Sequence, residues 1–335
     1  MANQIVRRLL LSTIAIIGVT LLVFFLSHVV PGDPARLAAG PQAHAEQVES
    51  VRREFGLDKP IVVQYGIYMR NLLRGDLGKS LQSRRPVIED LRDYFPATLE
   101  LTLIATILAV IGGVALGVLS AIYKNKLIDN LARIFSLAGV SMPVFWLGIL
   151  LVIVFYRQLG LLPFGGRIDA SIVSPTRITG MYLLDSLLTL NLPAFWSAFT
   201  YIILPAVTLA YSSLGVISRM SRASLLEVMQ EDYIRTARAK GLRERIVLTG
   251  HALKNSLIPV LTVVGLQFGS LLGGAFLVEV IFNWPGLGTY AMKAILFLDY
   301  NGIIGVTLLT AVVFMLTNLA VDILYMVVDP RMKTA

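Results

Sequence analysis

The sequence predicts an all-α polytopic membrane protein with six transmembrane helices. Three observations carry that expectation: a composition too apolar for a water-soluble domain, long uncharged runs, and a lopsided distribution of Lys and Arg between alternate loops. Of 335 residues, 56% are hydrophobic and 15% charged, with a mean hydropathy of +0.74. A soluble domain carries roughly 25% charged residues. A chain this poor in charge is not wetted on all sides, and it is too apolar to be disordered. Cysteine is absent, which removes disulfides, zinc thiolates, iron–sulfur clusters and a cysteine nucleophile.

A spanning helix needs about 20 mainly apolar residues. The runs that qualify are 9–32, 101–123, 134–156, the later part of 186–218 (about 198–218), 255–278 and 300–321. The first follows Arg7 and Arg8, as a signal peptide would. Its apolar stretch is longer than the roughly 7–15 residues of a signal h-region, and no A-x-A-like site closes it. It is expected to be retained. Pro205 predicts a kink in the fourth span. Glycines such as Gly112, Gly113, Gly117 and Gly265 are expected to let helix backbones approach closely.

Six spans put both termini on one side. With the N-terminus inside, the inner segments hold 15 Lys and Arg and the short outer loops hold 4, an N-in/C-in pattern by the positive-inside rule. The net charge of +8 and the pI of 9.7 therefore mark topology rather than nucleic-acid binding. Half of the excess sits in one inner loop, 219–254.

Residues 33–98 form a polar insert on the outer side, too long for a simple loop. Residues 45–54 read as a helix stopped by Phe55-Gly56. Pro60 opens another, with Ile61, Tyr65, Tyr68 and Leu72 at helical spacing, ending near Gly75. Gly75-Asp76-Leu77-Gly78-Lys79-Ser80 superficially suggests a phosphate loop, but the glycine that motif needs five residues before Gly78 is Leu73, so a turn is expected. In the outer segment 157–197, the apolar stretch 181–192 is too short to span and is expected to be interfacial or re-entrant, unless 181–218 hides an extra helix pair. The chain thus divides into an N-terminal helix (1–32), the insert (33–98) and a five-helix core (99–335) whose cytoplasmic loop is 219–256.

The inner loop is the most informative stretch. The fourth span continues through Ile217–Gln230, and then comes Glu231-Asp232-Tyr233-Ile234-Arg235-Thr236-Ala237-Arg238-Ala239-Lys240-Gly241. Asp232 is a suitable N-cap and Gly241 a suitable C′ residue, which predicts a helix of eight residues, about 12 Å long. So short a helix is marginal alone in water. Small residues among cations suggest a knob for a partner's cleft, with Tyr233 and Ile234 as anchors, against the alternative of a solvated loop touching phospholipid.

In this loop and elsewhere the chain resembles permease subunits of bacterial and archaeal ABC importers, in the dipeptide/oligopeptide/nickel branch, and is most similar to dipeptide-type first permeases. The resemblance runs through Pro31-Gly32-Asp33-Pro34, Gly56-Leu57-Asp58-Lys59-Pro60, Gly75-Asp76-Leu77-Gly78, Pro96-Ala97-Thr98-Leu99-Glu100-Leu101 and Ser141-Met142-Pro143-Val144-Phe145-Trp146. It continues through Asp232–Leu242, His251–Val260, Trp284-Pro285-Gly286-Leu287-Gly288 and Asp329-Pro330-Arg331. It implies the type I importer permease fold and a prokaryotic inner-membrane location. The implied machine has two permeases, two ATPase subunits that hold ATP and Mg, and an extracytoplasmic binding protein. This chain itself would hold no cofactor. The stretch Glu231–Gly241 would be the coupling helix that sits in an ATPase groove. Here the usual Glu-Ala-Ala before the glycine is replaced by Arg235-Thr236-Ala237, so the contact is expected to be similar in place and different in detail.

The implied function is ATP-driven import of dipeptides or oligopeptides. Related machines import nickel chelates, glutathione or oligosaccharides. The pathway is expected between this chain and its permease partner, with Gln267, Ser270 and Glu279 as candidate lining residues. Glu100 and Glu279 sit near outer span ends and are expected to be structural. An intramembrane enzyme is disfavoured because His28, His44 and His251 cannot meet a nucleophile at one depth. An ion-driven carrier is disfavoured because internal repeats and midplane acids are not seen.

Overall fold

The computed structural model describes residues 13–25, 34–39, 43–54 and 58–328. Arg7, Arg8, His28, the Pro31-Gly32-Asp33 landmark, Phe55-Gly56 and Asp329-Pro330-Arg331 lie outside them. The described secondary structure is helical: α1 (Thr13–Phe25), α2 (Pro34–Ala39), α3 (Ala45–Glu54), α4 (Ile61–Leu73), α5 (Val87–Ile122), α6 (Leu127–Ser141) and α7 (Val144–Gln158). There follow α8 (Tyr182–Leu188), α9 (Leu192–Val228), α10 (Asp232–Ala239), α11 (Glu244–Ile281), α12 (Leu287–Leu296) and α13 (Tyr300–Val328). Among the described residues, 4 helices are long and apolar enough to cross a membrane: α5, α9, α11 and the 300–321 part of α13. The α6/α7 pair would raise that to 5.

Three spans differ from their sequence-based bounds. The uncharged run 134–156 is not one straight helix, because α6 and α7 meet at 109°. Pro143 has no N–H to continue α6, and Met142 before it is driven to extended backbone (φ −81°, ψ 132°). The second span begins at Val87 rather than near Leu101, and its 36 residues extend about 54 Å, well beyond a bilayer core of about 30 Å. The fourth begins at Leu192, because the Asn191 side chain accepts from the Ala194 amide at 3.1 Å and Pro193 is tolerated in the first turn. This helix runs continuously through Pro205 for 37 residues. The stretch 181–192 holds only the 7-residue α8.

The chain separates into two compact units. The first comprises the residues up to Pro96 together with Gly286–Met315. Its core joins Val87 and Leu91 of α5 to Leu287 and Tyr290 of α12, with Leu77, Val306 and Leu309 packed alongside. The Gly75–Ser80 stretch is a turn built into this unit. Gly75 and Gly78 both have φ of 77°, which favours glycine, and Asn301 donates to the Lys79 carbonyl at 2.8 Å. Within the same unit the Ser80 hydroxyl donates to the buried Asp299 carboxylate. On α1, Thr20 shares a 2.9 Å hydrogen bond with Tyr65 of α4, and Phe24 packs edge-on against the same ring.

The second unit comprises Ala97–Pro285 and the residues from Leu316 onward. Its core is formed by the inward faces of α5, α9 and α11, including Leu101, Ile202, Leu209, Ile217, Val260 and Val278. Close backbone approach accounts for Gly117: a Cβ there would lie 2.5 Å from the Ser218 carbonyl of α9.

Candidate functional site: a cationic helix pinned to the end of the bundle

The helix singled out in the inner loop forms as α10, Asp232–Ala239. Its N-cap is Glu231 (φ −65°, ψ 148°) rather than Asp232, and neither position makes a side-chain cap bond. Asp232 instead lies in the first turn, where its negative charge suits the helix dipole and pairs with Arg235 at 3.3 Å. The C-terminal reading holds: Lys240 is the C-cap, and Gly241 takes the left-handed conformation at φ 78°. The Gly241 amide donates to the Arg238 carbonyl at 2.9 Å.

One correction concerns Ile234. It is fully buried in its own chain and does not serve as an exposed anchor. Ile234 and Ala237, one helical turn apart, close a small core with Ala121 of α5, Leu225 of α9, and Val247 and Ala252 of α11. This contact explains how so short a helix persists. Val247–Ala252 is a π-helical stretch at the start of α11. Tyr233 is exposed, and its hydroxyl accepts from the Asn255 amide at 2.9 Å.

The face turned away from that core is cationic. Arg235, Thr236, Arg238, Ala239 and Lys240 are all exposed. Arg238 forms a two-pronged pair with Glu244, at 3.1 and 2.7 Å, and this hydrogen bonding pushes the guanidinium pKa up. The pair holds Arg238 in place, whereas Lys240 forms no ion pair among the described residues.

Near this helix a buried carboxylate joins three other segments. Asp129 of α6 accepts from Arg222 of α9 through both Nε and Nη2 at 2.9 Å, from the Ser120 hydroxyl of α5 at 2.6 Å, and from the Asn125 amide at 2.8 Å. Neither Asp129 nor Arg222 stands out in the sequence beyond the charge balance of the loops. A bidentate pair between helices distant in sequence leaves no local signal.

The candidate pathway residues occupy different settings. Gln267 accepts from the buried Ser213 of α9 at 2.8 Å, and Ser270 is exposed. Glu279 is fully buried and accepts from Thr98 at 2.6 Å. Glu100 is also buried. It receives the Arg167 guanidinium and, at 2.7 Å, the Leu183 amide. Arg167 lies 3.8 Å over the Tyr182 ring and also faces Trp284, whose indole N–H donates to the Ala97 carbonyl at 2.9 Å. Sequence reasoning placed both glutamates near outer span ends but did not find Arg167 as the partner.

A bundle of apolar helices with a short cationic helix fastened to one end has the architecture of an importer permease of the type I class. A solved chain of the MetNI methionine ABC transporter, in an inward-facing conformation, shares this fold at 17% identity and a TM-score of 0.51, covering 70% of this chain and 93% of that one. The family model described as "Binding-protein-dependent transport system inner membrane component" matches residues 113–334, and that family's N-terminal model matches 1–102. The chain belongs to this family of inner membrane transport components. It is 46% identical to the "Probable D,D-dipeptide transport system permease protein" of Escherichia coli K12, covering 95% of this chain and 94% of that protein. It is 45% identical to the dipeptide transport system permease protein of Alkalihalophilus pseudofirmus, covering 98% of each. A glutathione transport system permease of Escherichia coli O6:H1 is 41% identical over 99% of each chain. These relatives are permease subunits, so the chain is a transporter component rather than an enzyme.

Proposed function

We propose that this chain forms half of the pathway of an ATP-driven importer of dipeptides and other short peptides. It works with a second permease chain, two ATPase subunits and an extracytoplasmic binding protein. ATP and Mg belong to the ATPases. The observation that carries the reading is α10, held by Ile234 and Ala237 on its own bundle while Arg235, Thr236, Ala239 and Lys240 face outward. A helix fixed on one face and free on the other is suited to docking in a partner's groove. The relatives named for dipeptide and glutathione transport support a peptide cargo.

The topology that fits is six spans, N-in/C-in: α1, α5, the bent α6/α7 pair, α9, α11 and α13. It places α10 with the cationic inner loops. The domain plan is the N-terminal helix, the outer insert and the five-helix core. Gln267, Ser270 and Glu279 are proposed along or beside the path, with Ser270 the most accessible of the three. ATPase closure would act on Glu231–Gly241 and rock the attached spans largely as rigid bodies.

The test is Ala239→Trp, at an exposed position, so the bundle should still insert. Ala237→Glu would be a poor test, because Ala237 is packed against the chain's own core. The expected result is loss of ATPase co-purification and of peptide uptake, with unchanged amounts of the permease in the membrane. Normal uptake and normal co-purification by Ala239→Trp would refute the docking role.

A further inference from the structure

An apolar groove of about 530 Å³ opens along the α5–α6 hairpin. Its walls include Leu119 from the end of α5, Ile128, Leu131 and Phe135 from α6, and Tyr211 from α9. The Tyr211 hydroxyl is already committed to the Phe135 carbonyl at 3.1 Å. The groove therefore offers an occupant almost nothing but hydrocarbon.

The groove abuts the hairpin turn, where Lys124 and Lys126 are exposed and form no ion pair among the described residues. Lys126 stands 5.8 Å over the ring of Tyr123, which is itself exposed at the end of the span. A tyrosine beside lysines at a span terminus marks headgroup level. Cations on the turn that joins the two helices of a hydrocarbon furrow match one kind of molecule.

We propose that this groove binds an anionic phospholipid, with an acyl chain along Leu119, Leu131 and Phe135 and the phosphate at Lys124 and Lys126. Charge complementarity favours a lipid over a second transmembrane helix. So does residue size: close helix contact uses small residues, and Gly117 and Gly139 are already pressed against α9 of the same chain. The assignment to the inner leaflet, though not the site itself, rests on the N-in orientation proposed above.

The assembled transporter is purified from nanodiscs holding equal phosphatidylglycerol and phosphatidylethanolamine, and retained lipid is read by native mass spectrometry. Wild type should retain phosphatidylglycerol over phosphatidylethanolamine by roughly ten- to thirtyfold, as two surface lysines imply. Lys124→Gln with Lys126→Gln should abolish the preference, and Ala138→Phe, which narrows the groove, should lower retention of both lipids. Equal retention by wild type, or unchanged preference in the lysine variant, overturns the proposal. So does an efficient cross-link from Leu131→Cys to the second permease, which would make the groove a subunit interface. Labelling of Lys126→Cys by an impermeant maleimide from outside would refute the leaflet and the N-in topology while leaving lipid retention intact.

Discussion

Arg222→Met tests the buried Asp129 cluster directly. Asp129 is fully buried, and Arg222 supplies two of its hydrogen bonds, both charge-assisted and at 2.9 Å. Removing one partner of a buried pair costs about 3–5 kcal/mol, because the remaining charge stays desolvated. Ser120 and the Asn125 amide would stay in place, and Arg133, 3.6 Å away and 54% exposed, would recover about 1 kcal/mol at most. The expected cost is therefore about 2–4 kcal/mol. Asp129→Asn should cost less, about 1–2 kcal/mol, because Arg222 is 23% exposed and can turn toward water. The double variant should lie near Asp129→Asn, a coupling of about 2–4 kcal/mol, the whole cost of Arg222→Met. Unfolding of the purified chain in mixed detergent micelles gives all three values. If Arg222→Met proved no more costly than Asp129→Asn, the carboxylate would not be the buried, dependent partner, and the reasoning would fail.

Arg167→Leu should leave Glu100 buried without its guanidinium, cost about 3–5 kcal/mol, and expose residues 178–183 to proteolysis in detergent. Gly241→Ala should place a side chain at φ 78°, cost about 1 kcal/mol, and speed amide hydrogen exchange in 232–242. Burial would raise the Asp185 pKa, but the Thr179 hydroxyl and the amides of Ile178, Thr179 and Gly180 outweigh it and hold it below the ordinary value. A depressed carboxylate stabilises above its unfolded pKa of about 3.9 and loses that contribution as pH falls through the lower folded value. The 177–190 segment should therefore become protease-sensitive below about pH 4, with a weaker pH response in Asp185→Asn.

What the sequence discloses depends on whether the signal is local. The helix opened by Pro60, the start of the last span at Tyr300 and the Gly241 stop rest on nearby residues, and each appears as read. The break at Met142-Pro143 was also written locally, yet an uninterrupted apolar run concealed it. Hydropathy counts residues and is blind to direction. Ile234 was misread for another reason: in an eight-residue helix, the inward and outward faces differ only through what packs on them. Val247 and Ala252, which help define that inward face, arrive later in the chain as the first and last residues of a stretch of wider helical turns. The ion pairs Arg222–Asp129 and Arg167–Glu100 span 93 and 67 residues, so no window of sequence contains both partners' surroundings.

The length of α9 carries a mechanical consequence. Its 37 unbroken residues make a strut about 55 Å long, and Leu225 near one end shares a buried core with Ile234 and Ala237 of α10. A tilt of only about 5° about one end displaces the other by about 5 Å, close to one helical turn. A small angular input at the Val228 end therefore suffices for a displacement of about one helical turn at the Leu192 end, without any bond in the strut being broken.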